Sequence, residues 1–356
     1  RQLAFRTAPG GTLSTYAAAG HVRRGLATAG FEVKRVAGFG DKAEMITARY
    51  DSRQRLRDQR QKPARVVIVG AGLAGLFCAK ALAFRQVPVT VLESADEPLQ
   101  GSSAVRQMAV YPQLALKPTA WNLFSIAAFQ HLRAMEPAMN ATGFHMLITR
   151  EAQRERLARI ADIFPNDFLE YGDAAQLSNA IGLPVTLPGM MYHTAGWLDL
   201  EQTFGPLLEL LPIHTGTRVQ EINRSDNGWE LRNSDDETIV EASHVIIASG
   251  AGSIPMLHSL PLTPVRGQSL RLRLPEHYQP HRLLSGPVTL FPPVKGLCTL
   301  SATYEHGSRD TDVRESDTME LLGRLKELFP DLTCEVVSET VGLRNVPRDR
   351  VPVVGP

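Results

Sequence analysis

A glycine-rich turn between two short apolar strands limits this chain to a narrow set of folds. The β-branched run Arg65–Val69 leads directly into Gly70, Gly72 and Gly75, which form the pattern G-x-G-x-x-G. These glycines permit a tight turn, a close approach of the backbone to a pyrophosphate, and close packing of the next helix on the strand. A second strand ends at Glu93, whose carboxylate can accept hydrogen bonds from a ribose. The segment therefore predicts a dinucleotide site with the pyrophosphate at the helix N-terminus.

The length and composition predict a globular protein of two or three domains. The chain has 356 residues, of which 43% are apolar, and such a chain can bury a sizeable core. The apolar stretch 66–84 is interrupted by glycines and by Lys80, so we do not expect a membrane span. The cysteines, Cys78, Cys298 and Cys334, are isolated and predict neither a disulfide framework nor a zinc site. These features favour a reducing cytoplasm, and no signal peptide is recognisable.

The positive charge of the chain is concentrated near its beginning. The net charge is only +1, but residues 1–65 carry 14 lysines and arginines against 5 acidic residues. Residues 49–64 combine many of these arginines with few apolar side chains, which predicts a basic linker between domains. Such a linker is either a solvated tether or a strip that contacts the phosphates of a nucleic acid. The sequence leaves both interpretations open.

Residues 1–48 have the pattern of the last part of a larger domain. The predicted elements are a turn and strand at Pro9–Leu13, a helix at Ala17–Ala29 ended by Gly30, a strand at Phe31–Lys34 and a turn at Gly38–Gly40. This segment is too short to bury a core of its own. We therefore expect the chain to be a fragment of a longer protein.

The rest of the chain alternates between two predicted domains. Residues 143–199 and 263–305 alternate short β-rich runs with turns, which predicts an antiparallel sheet. Helices are expected at Ala120–Met135 and Ser316–Phe329. Further strands of the nucleotide domain are expected at 218–222, 229–232 and 244–248. The predicted boundaries are 65–142 with 200–262 and 340–356 for the nucleotide domain, and 143–199 with 263–339 for a substrate domain.

Two sets of short motifs occur along the chain. The later set is Gly70–Gly75, Arg106-Gln107 with Tyr111-Pro112, Gly196-Trp197, Ala248–Gly250, Gly267-Gln268 and Gly342–Arg344. The earlier set is Pro9–Leu13, Tyr16–Gly20, Val22–Leu26, Ala29–Phe31 and Gly38–Gly40. The later set resembles the FAD-dependent half of the MnmC family of bifunctional tRNA-modifying proteins. The earlier set resembles the tail of that family's methyltransferase half, so the resemblance covers essentially the whole chain.

This resemblance implies an α/β fold of the D-amino-acid and glycine oxidase type. A Rossmann-like FAD-binding domain would be interleaved with an antiparallel β-rich substrate domain and preceded by a fragment of a Rossmann-like methyltransferase. The implied activity is a two-step modification of the wobble uridine of tRNA. FAD-dependent oxidation would remove the carboxymethyl group of 5-carboxymethylaminomethyl-(2-thio)uridine as glyoxylate. The amine would then be methylated from S-adenosylmethionine, whose site is not expected in these residues. A monomer is expected.

The resemblance also implies roles for particular side chains. Arg344 occupies the position at which related glycine oxidases carry an arginine that binds the substrate carboxylate. The alternative is a surface ion pair between Arg344 and Asp349 or Glu339. Arg106, Gln107 and Tyr111 complete the predicted catalytic set. The residues expected to contact FAD are Gly70, Gly72, Gly75, Glu93, Arg106, Gln107, Ala248 and Gly250.

Aromatic residues are weaker candidates for the substrate site. Tyr111, Tyr192 and Trp197 either line the site and stack on the uracil or pack in the core. No metal site is expected, because Pro280 argues against a helix that would align His277 with His281. Ser102 and Ser103 lack recognisable catalytic partners, so we do not expect nucleophilic catalysis.

Other functions are compatible with the same residues. A stand-alone FAD-dependent glycine or amino-acid oxidase would act on a free small molecule, although it would not need the methyltransferase-like residues 1–47. A non-catalytic tRNA-binding relic would retain the fold without the chemistry. A nicotinamide-dependent dehydrogenase would share the glycine pattern but would lack the flavin absorbance.

Overall fold

The structure is a computed structural model, and it describes residues 3–4, 7, 10–38, 43–51, 65–226, 228–253 and 262–355. The chain divides into two compact units, residues 1–64 and 65–356. Most of the predicted basic linker and the centre of the turn predicted at Gly38–Gly40 lie outside the described residues.

The elements described in the first unit form a small antiparallel sheet and a helix. These elements are β1 (Thr12–Thr15), α1 (Gly20–Thr28), β2 (Phe31–Ala37) and β3 (Glu44–Tyr50). β3 pairs with both β1 and β2, and a small core forms around Phe31, Ala48 and Tyr50. β3 is absent from the sequence-based prediction. It continues to Tyr50, beyond the point at which the basic linker was expected to begin.

The second unit begins with the predicted strand, glycine turn, helix and strand. Its elements are β4 (Val66–Val69), α2 (Leu73–Phe84), β5 (Val89–Leu92), β6 (Gln107–Val110), α3 (Ala120–Met135), β7 (Phe144–Leu147), α4 (Glu151–Ala161), β8 (Leu169–Gly172), α5 (Ala174–Ile181), β9 (Gly189–Tyr192), β10 (Gly196–Asp199), α6 (Leu200–Leu208), β11 (Ile213–His214), β12 (Glu221–Ser225), β13 (Gly228–Arg232), β14 (Thr238–Ala242), β15 (His244–Ile247), β16 (Leu262–Arg273), β17 (Leu283–Ser285), β18 (Thr289–Leu290), β19 (Cys298–Ser301), β20 (Glu305–His306), α7 (Glu315–Leu328) and β21 (Glu335–Pro347).

A four-stranded parallel sheet carries the predicted nucleotide motif. Its strand order is β11-β5-β4-β15, and every neighbouring pair is parallel. β4 is buried along its whole length, as expected for a strand covered on both faces. Of the three strands predicted at 218–222, 229–232 and 244–248, β15 joins this sheet. β12 and β13 instead form a separate antiparallel sheet with β14.

A nine-stranded sheet forms the second layer, with the order β20-β16-β19-β18-β17-β7-β9-β8 and β21 paired to β16. Both β-rich regions predicted from the sequence contribute strands to it, and most of its pairings are antiparallel. Helices α4 and α5 lie within the first of these regions, where short strands and turns were predicted. β21 runs unbroken across the domain boundary expected at residue 340. The remaining domain boundaries stay predictions.

The glycine turn depends on backbone atoms that approach each other too closely for a side chain. Gly70 has a φ of +108°, and a Cβ there would lie 2.5 Å from the carbonyl oxygen of Ala248. A Cβ on Gly75 would lie 1.9 Å from the carbonyl oxygen of Gly70. Because real Cβ atoms do not approach backbone so closely, both positions require glycine. These contacts hold α2 against β4 and bring β15 to the same edge.

We predict that Gly75→Ala lowers the free energy of unfolding by about 3 kcal/mol, because the added methyl group forces α2 away from β4. Urea titration followed by circular dichroism measures the change. Gly323→Ala in α7 is the matched control, because a Cβ there would meet no atom of the described residues within 4 Å. That control should stabilise the protein by about 0.5–1 kcal/mol through helix propensity. Equal effects of the two substitutions would contradict the packing argument.

A fully buried histidine in β7 predicts sensitivity to acid. His145 is 0% exposed, and neither ring nitrogen has a hydrogen-bond partner among the described residues. Burial, followed by the charges of Arg282 and His193, lowers the pKa of His145 from 6.5 to about 4. As pH falls below 6.5, His145 binds a proton in the unfolded state, whereas in the folded state it stays neutral until the pH approaches 4. The stability present above pH 6.5 is therefore lost progressively toward pH 4.

We expect the free energy of unfolding to fall by about 2–3 kcal/mol more in the wild type than in His145→Leu between pH 7 and pH 4.5. Urea titrations at both pH values measure this difference. His131→Leu is the control, because His131 is exposed on α3 and its loss should leave the pH dependence unchanged. The same acid dependence in His145→Leu and wild type would refute the assignment.

Candidate active site

The N-terminus of α2 has the features required to receive a pyrophosphate. The helix has no acidic residue in its first turn, and its N-cap residue, Gly72, has no side chain that could cap it. Ser103 Oγ accepts a hydrogen bond of 3.1 Å from the amide of Leu73, so the small-residue loop at 101–103 contacts the helix start. A negatively charged group is favoured at such a helix end, because backbone N–H groups point out of it and the positive end of the helix dipole lies there.

Glu93 lies at the carboxyl end of β5, beside the glycine turn. Its carboxylate accepts hydrogen bonds of 2.7 Å from the amide of Ala71 and 2.9 Å from the amide of Ala95. The acidic side chain therefore sits against the turn, at the position predicted for a ribose contact. Its contact with the ribose stays a prediction.

Residues 248–250 close the other side of the turn. The amide of Ala248 donates to the carbonyl of Val69 over 2.8 Å, and the carbonyl of Ala248 is the atom that excludes a side chain at Gly70. Gly250 adopts a left-handed conformation with a φ of +54°, and its carbonyl accepts a hydrogen bond from the side chain of Asn345. Ala248 and Gly250 thereby link the glycine turn to β21.

Two motifs that are far apart in the sequence become direct neighbours in the large sheet. β16 and β21 pair so that Gly267 lies opposite Gly342 and Val265 lies opposite Arg344. A Cβ on Gly342 would lie 2.7 Å from the Cα of Ser102. β21 therefore packs closely on the same loop that contacts the start of α2. This places Arg344, two residues further along the strand, on the sheet face that carries Gly342.

Arg344 has a buried guanidinium nitrogen that contacts no hydrogen-bond partner in the part of the chain that the structure describes. Its Nη1 has no hydrogen-bond partner among the residues that the structure describes, and a Cβ on Gly267 would come within 2.9 Å of that atom. The ring of Tyr304 lies 4.6 Å from Arg344 Cζ, in cation–π geometry. The absence of a side chain at Gly267 therefore leaves room for the guanidinium.

The expected alternative partners of Arg344 are engaged elsewhere. Glu339 accepts a hydrogen bond from Thr318, and Asp349 accepts one from the amide of Val351. Within the described ranges no ion pair joins either carboxylate to Arg344. The guanidinium thus keeps donors for an anionic ligand, and a carboxylate matches its planar geometry.

A cavity of about 540 Å³ lies between the 98–106 segment, α6 and the large sheet. Arg106 lines this cavity and forms a 2.8 Å ion pair with Asp199 and a second ion pair with Glu201. Its positive charge is therefore balanced by two carboxylates. The position beside the flavin ring predicted for Arg106 stays a prediction, and the observed contacts fix the side chain on the cavity wall.

Gln107 is buried, and both polar atoms of its side-chain amide form hydrogen bonds. The partners lie in β16, in β19 and in the loop before β19. Its Nε2 donates to the carbonyl of Pro292 over 2.8 Å. Its Oε1 accepts bonds of 2.7 Å from Thr299 Oγ1 and 3.1 Å from Arg271 Nη1. The side chain thus joins β6 to β16 and β19, which fixes the position of the adjacent Arg106.

Arg271 also lines the cavity, and the sequence analysis missed it. Its described partners are neutral oxygens of Gln107, Thr299 and Val294. Burial, followed by the nearby charge of Arg106, lowers the pKa of Arg271 below the usual arginine value. Alternation of buried Leu270 and Leu272 with polar neighbours in β16 is the sequence signal that would have placed Arg271 on the cavity face.

The three aromatic candidates pack together or within the core. Tyr111 stacks on Phe144 with a centroid separation of 4.1 Å and contacts Tyr192 edge-on at 6.2 Å. Tyr192 and Trp197 are buried, and burial, followed by the nearby Tyr111, raises the pKa of Tyr192. The structure therefore places Tyr111 in an aromatic core cluster, and its predicted catalytic role stays a prediction.

A buried polar network supports the end of β16 that carries Gly267. Arg266 is 0% exposed and bonds to Asp317, to the carbonyl of Asp312 and to Gln268. Gln268 accepts from the amide of Arg314 over 2.9 Å. The paired and hydrogen-bonded guanidinium holds the 310–318 segment against the sheet.

A metal site requires a cluster of metal-binding side chains, and a membrane span requires a long apolar helix. In the part of the chain that the structure describes, no group of three or more His, Cys, Asp and Glu side chains could hold a metal ion. None of the described helices has the length and apolar character needed to cross a membrane. Burial raises the pKa of the Cys298 thiol to about 12, so this cysteine is a core residue.

Comparison with known proteins identifies the class to which this fold and site belong. Residues 65–356 match the family model described as FAD dependent oxidoreductase, or DAO. The chain therefore belongs to this family of FAD-dependent oxidoreductases. Residues 1–51 match the model of an S-adenosyl-L-methionine-dependent methyltransferase family.

The chain is similar along its length to proteins named tRNA 5-methylaminomethyl-2-thiouridine biosynthesis bifunctional protein MnmC. It is 30% identical over 394 residues to that of Ralstonia nicotianae, covering 100% of this chain and 59% of the relative. It is 33% identical over 351 residues to that of Chromohalobacter salexigens, covering 90% of this chain and 49% of the relative. The chain thus spans less than two thirds of these relatives. The resemblance predicted from the motifs is confirmed.

Solved structures share the fold of the second unit. Glycine oxidase from Geobacillus kaustophilus superposes with a TM-score of 0.67 and 22% identity, covering 82% of this chain and 86% of that protein. Iminodiacetate oxidase from Chelativorans sp. BNC1 gives a TM-score of 0.62 and 19% identity, covering 80% of this chain and 84% of that protein. The predicted fold class is therefore confirmed.

We predict that Gln107→Leu lowers the free energy of unfolding by about 2–4 kcal/mol, because it leaves Arg271, Thr299 and the Pro292 carbonyl without their buried partner. Thermal or urea unfolding measures the loss. Gln113→Leu is the matched control, because Gln113 is exposed and its replacement should change stability by less than about 0.5 kcal/mol. A wild-type stability for Gln107→Leu would contradict a structural role for this amide.

Proposed function

We propose that this chain carries the FAD-dependent removal of a carboxymethyl group from the wobble uridine of tRNA. The substrate would be 5-carboxymethylaminomethyl-(2-thio)uridine, and the products 5-aminomethyl-(2-thio)uridine and glyoxylate. The reaction is an oxidation at a carbon–nitrogen bond, in which water supplies the aldehyde oxygen of glyoxylate and the nitrogen stays on the nucleoside. The observation that carries this proposal is a buried nitrogen of Arg344 that has no hydrogen-bond partner among the described residues, on the strand that packs against the loop at 101–103.

The glycine turn and its surroundings suit FAD. We assign the pyrophosphate to the start of α2, beside Gly70, Gly72 and Gly75, and the ribose to Glu93. The exclusion of side chains at Gly70 and Gly75, and the lack of an acidic residue in the first turn of α2, support this assignment. Residues Ala248 and Gly250 would line the same edge. When bound, FAD supplies the acceptor for the two electrons that leave the methylene carbon.

Arg344 would orient the substrate through its carboxylate. A planar guanidinium can hold both carboxylate oxygens, and the described residues leave Nη1 free for this contact. Burial of the bound secondary amine favours its neutral form, which retains the electron pair needed when hydride leaves the neighbouring methylene. No strong general base is therefore required from the protein. Orientation and exclusion of water are the main contributions of these residues.

The other predicted catalytic residues would act by shaping the site. Arg106 forms part of the cavity wall, balanced by Asp199 and Glu201. Gln107 holds the start of β6 against the large sheet. Tyr111, the residue that follows β6, stacks on Phe144 of β7. We propose positioning roles for Gln107 and Tyr111, and a place beside the flavin ring for Arg106.

The activity of the whole protein extends beyond these residues. We propose that the remainder of the methyltransferase half methylates the aminomethyl group from S-adenosylmethionine, as the names of the relatives and the match at residues 1–51 support. The S-adenosylmethionine site is not assigned to any residue of this chain. A tRNA substrate places the proposed reaction in the cytoplasm.

A flavin spectrum tests the proposed reaction against its alternatives. Anaerobic addition of tRNA bearing the carboxymethylaminomethyl group should bleach the flavin absorbance of the protein, whereas free glycine should not. Bleaching by glycine would favour an oxidase of free amino acids, which the names of the structural neighbours make the second candidate. A flavin-containing protein that no substrate bleaches would favour the non-catalytic relic, and a colourless protein would contradict the FAD assignment.

We expect Arg344→Ala in the full-length protein to lower kcat/KM for carboxymethyl removal by about 100-fold or more, because a charge-assisted double hydrogen bond is lost. Methylation of tRNA that already bears the aminomethyl group should be unchanged. Mass spectrometry of nucleosides, with assay of released glyoxylate, measures both steps.

Arg273→Ala is the control for Arg344→Ala. Arg273 lies at the other end of β16 and forms an exposed ion pair with Glu335, so its loss should change neither step. Equal loss of both steps in Arg344→Ala would show a general structural defect and would remove the proposed role.

A further inference from the structure

Tyr304 is an exposed aromatic residue that lies directly over Arg344. The side chain is 66% exposed, and its ring centroid is 4.6 Å from Arg344 Cζ. One face of the ring is therefore covered by the guanidinium, and most of the remaining ring surface is open to solvent. An aromatic ring with one supported face and one open face can accept a second planar group by stacking.

The segment around Tyr304 is anchored on both sides. The amide of Thr303 donates to the carbonyl of Gln268 over 3.1 Å, and Thr303 Oγ1 accepts a 2.9 Å hydrogen bond from the amide of Gln268. On the other side, Glu305 pairs with Arg314 over 2.8 Å and joins β16 through β20. The exposed ring is thus held by neighbours that are fixed to the large sheet, which reduces the entropy cost of binding.

The aromatic residues first considered for stacking are less accessible. Tyr192 and Trp197 are 5% and 6% exposed, respectively, and Tyr111 already stacks on Phe144. Phe84 and Phe124 are exposed, but they lie on α2 and α3 and show no described contact with Arg344. Tyr304 combines an open ring face with contact to the proposed carboxylate-binding group.

We propose that Tyr304 is the stacking platform for the uracil ring of the modified wobble nucleotide. This inference rests on the proposed function and adds the residue that recognises the base. The carboxymethylaminomethyl arm leaves C5 in the plane of the uracil and can bend at its first methylene, so the carboxylate of a base on the open face of Tyr304 can pass the ring edge and reach Arg344 on the other face. A free amino acid offers the same carboxylate but no base, so Tyr304 contributes to the selection of tRNA over small molecules.

Replacement of the ring separates base recognition from carboxylate recognition. Tyr304→Leu should raise KM for an anticodon stem-loop bearing the carboxymethylaminomethyl group about 10- to 100-fold, the range of base–aromatic stacking. Its KM for N-methylglycine, which has the carboxylate and secondary amine but no base, should change less than about threefold wherever that substrate is oxidised. Tyr304→Phe retains the ring faces and should stay within about threefold of wild type for the stem-loop.

Equilibrium binding of the same stem-loop, measured by fluorescence anisotropy, tests the platform independently of turnover. Tyr304→Leu should weaken this binding by the same 10- to 100-fold. Phe84→Leu is the matched control: it removes an aromatic side chain that is 75% exposed at the end of α2, and it should leave binding unchanged.

The possible outcomes separate the two proposals. If the wild type binds the stem-loop but oxidises neither substrate, the oxidase proposal fails. The affinity of Tyr304→Leu for the stem-loop, compared with that of the wild type, then still tests the stacking platform. Equal effects of Tyr304→Leu on stem-loop and N-methylglycine would overturn the platform in favour of support for Arg344. Unchanged stem-loop binding in Tyr304→Leu, or a wild type that does not bind the stem-loop, would also overturn it.

Discussion

The pairing of β16 with β21 is the constraint on which the candidate site depends. Its register sets Gly267 opposite Gly342 and Val265 opposite Arg344. The two glycines clear one face of the sheet, so that Arg344 fits over Gly267 and the loop at 101–103 fits over Gly342. A slip of one residue would move Arg344 to the opposite face of β21. The buried Arg266 and Gln268 bonds to the 312–317 segment hold the same stretch of β16.

Local chemistry explains which parts of the fold could be predicted. The glycine turn, α2 and β5 follow from a β-branched run, fixed glycine spacing and a second apolar run, all within one short segment. Helix α3 was predicted with its observed bounds, Ala120–Met135, from helical periodicity, and in the structure Thr119 caps its start. β12 and β13 were recognised as strands, but their sheet was not. Strand partners depend on contacts between distant residues, which periodicity does not encode.

The same limit applies to the candidate site. Arg106, Gln107 and Tyr111 were grouped because they belong to one motif of the family resemblance, yet the structure gives them three different environments. Arg106 meets two carboxylates, Gln107 bonds to β19 and the loop before it, and Tyr111 enters an aromatic cluster. Each partner comes from a distant part of the chain. Arg271 could have been placed on the cavity face from the alternation of apolar and polar residues in β16. Tyr304 was missed because a lone tyrosine in a strand-rich segment carries no distinguishing signal until its neighbours are known.

In the proposed function, a contact between Arg344 and the substrate carboxylate cannot by itself distinguish a modified nucleotide from a free amino acid. A guanidinium recognises any carboxylate of suitable geometry, so it contributes similar binding energy to a free amino acid and to a carboxymethylated nucleotide. Discrimination therefore requires a second contact that only the larger substrate can make. Tyr304 lies within stacking distance of the same guanidinium, on a segment anchored through Thr303 and Glu305. In the proposed reaction, the sheet would hold both groups, so that energy from base stacking would orient the carboxymethyl arm at the reacting carbon.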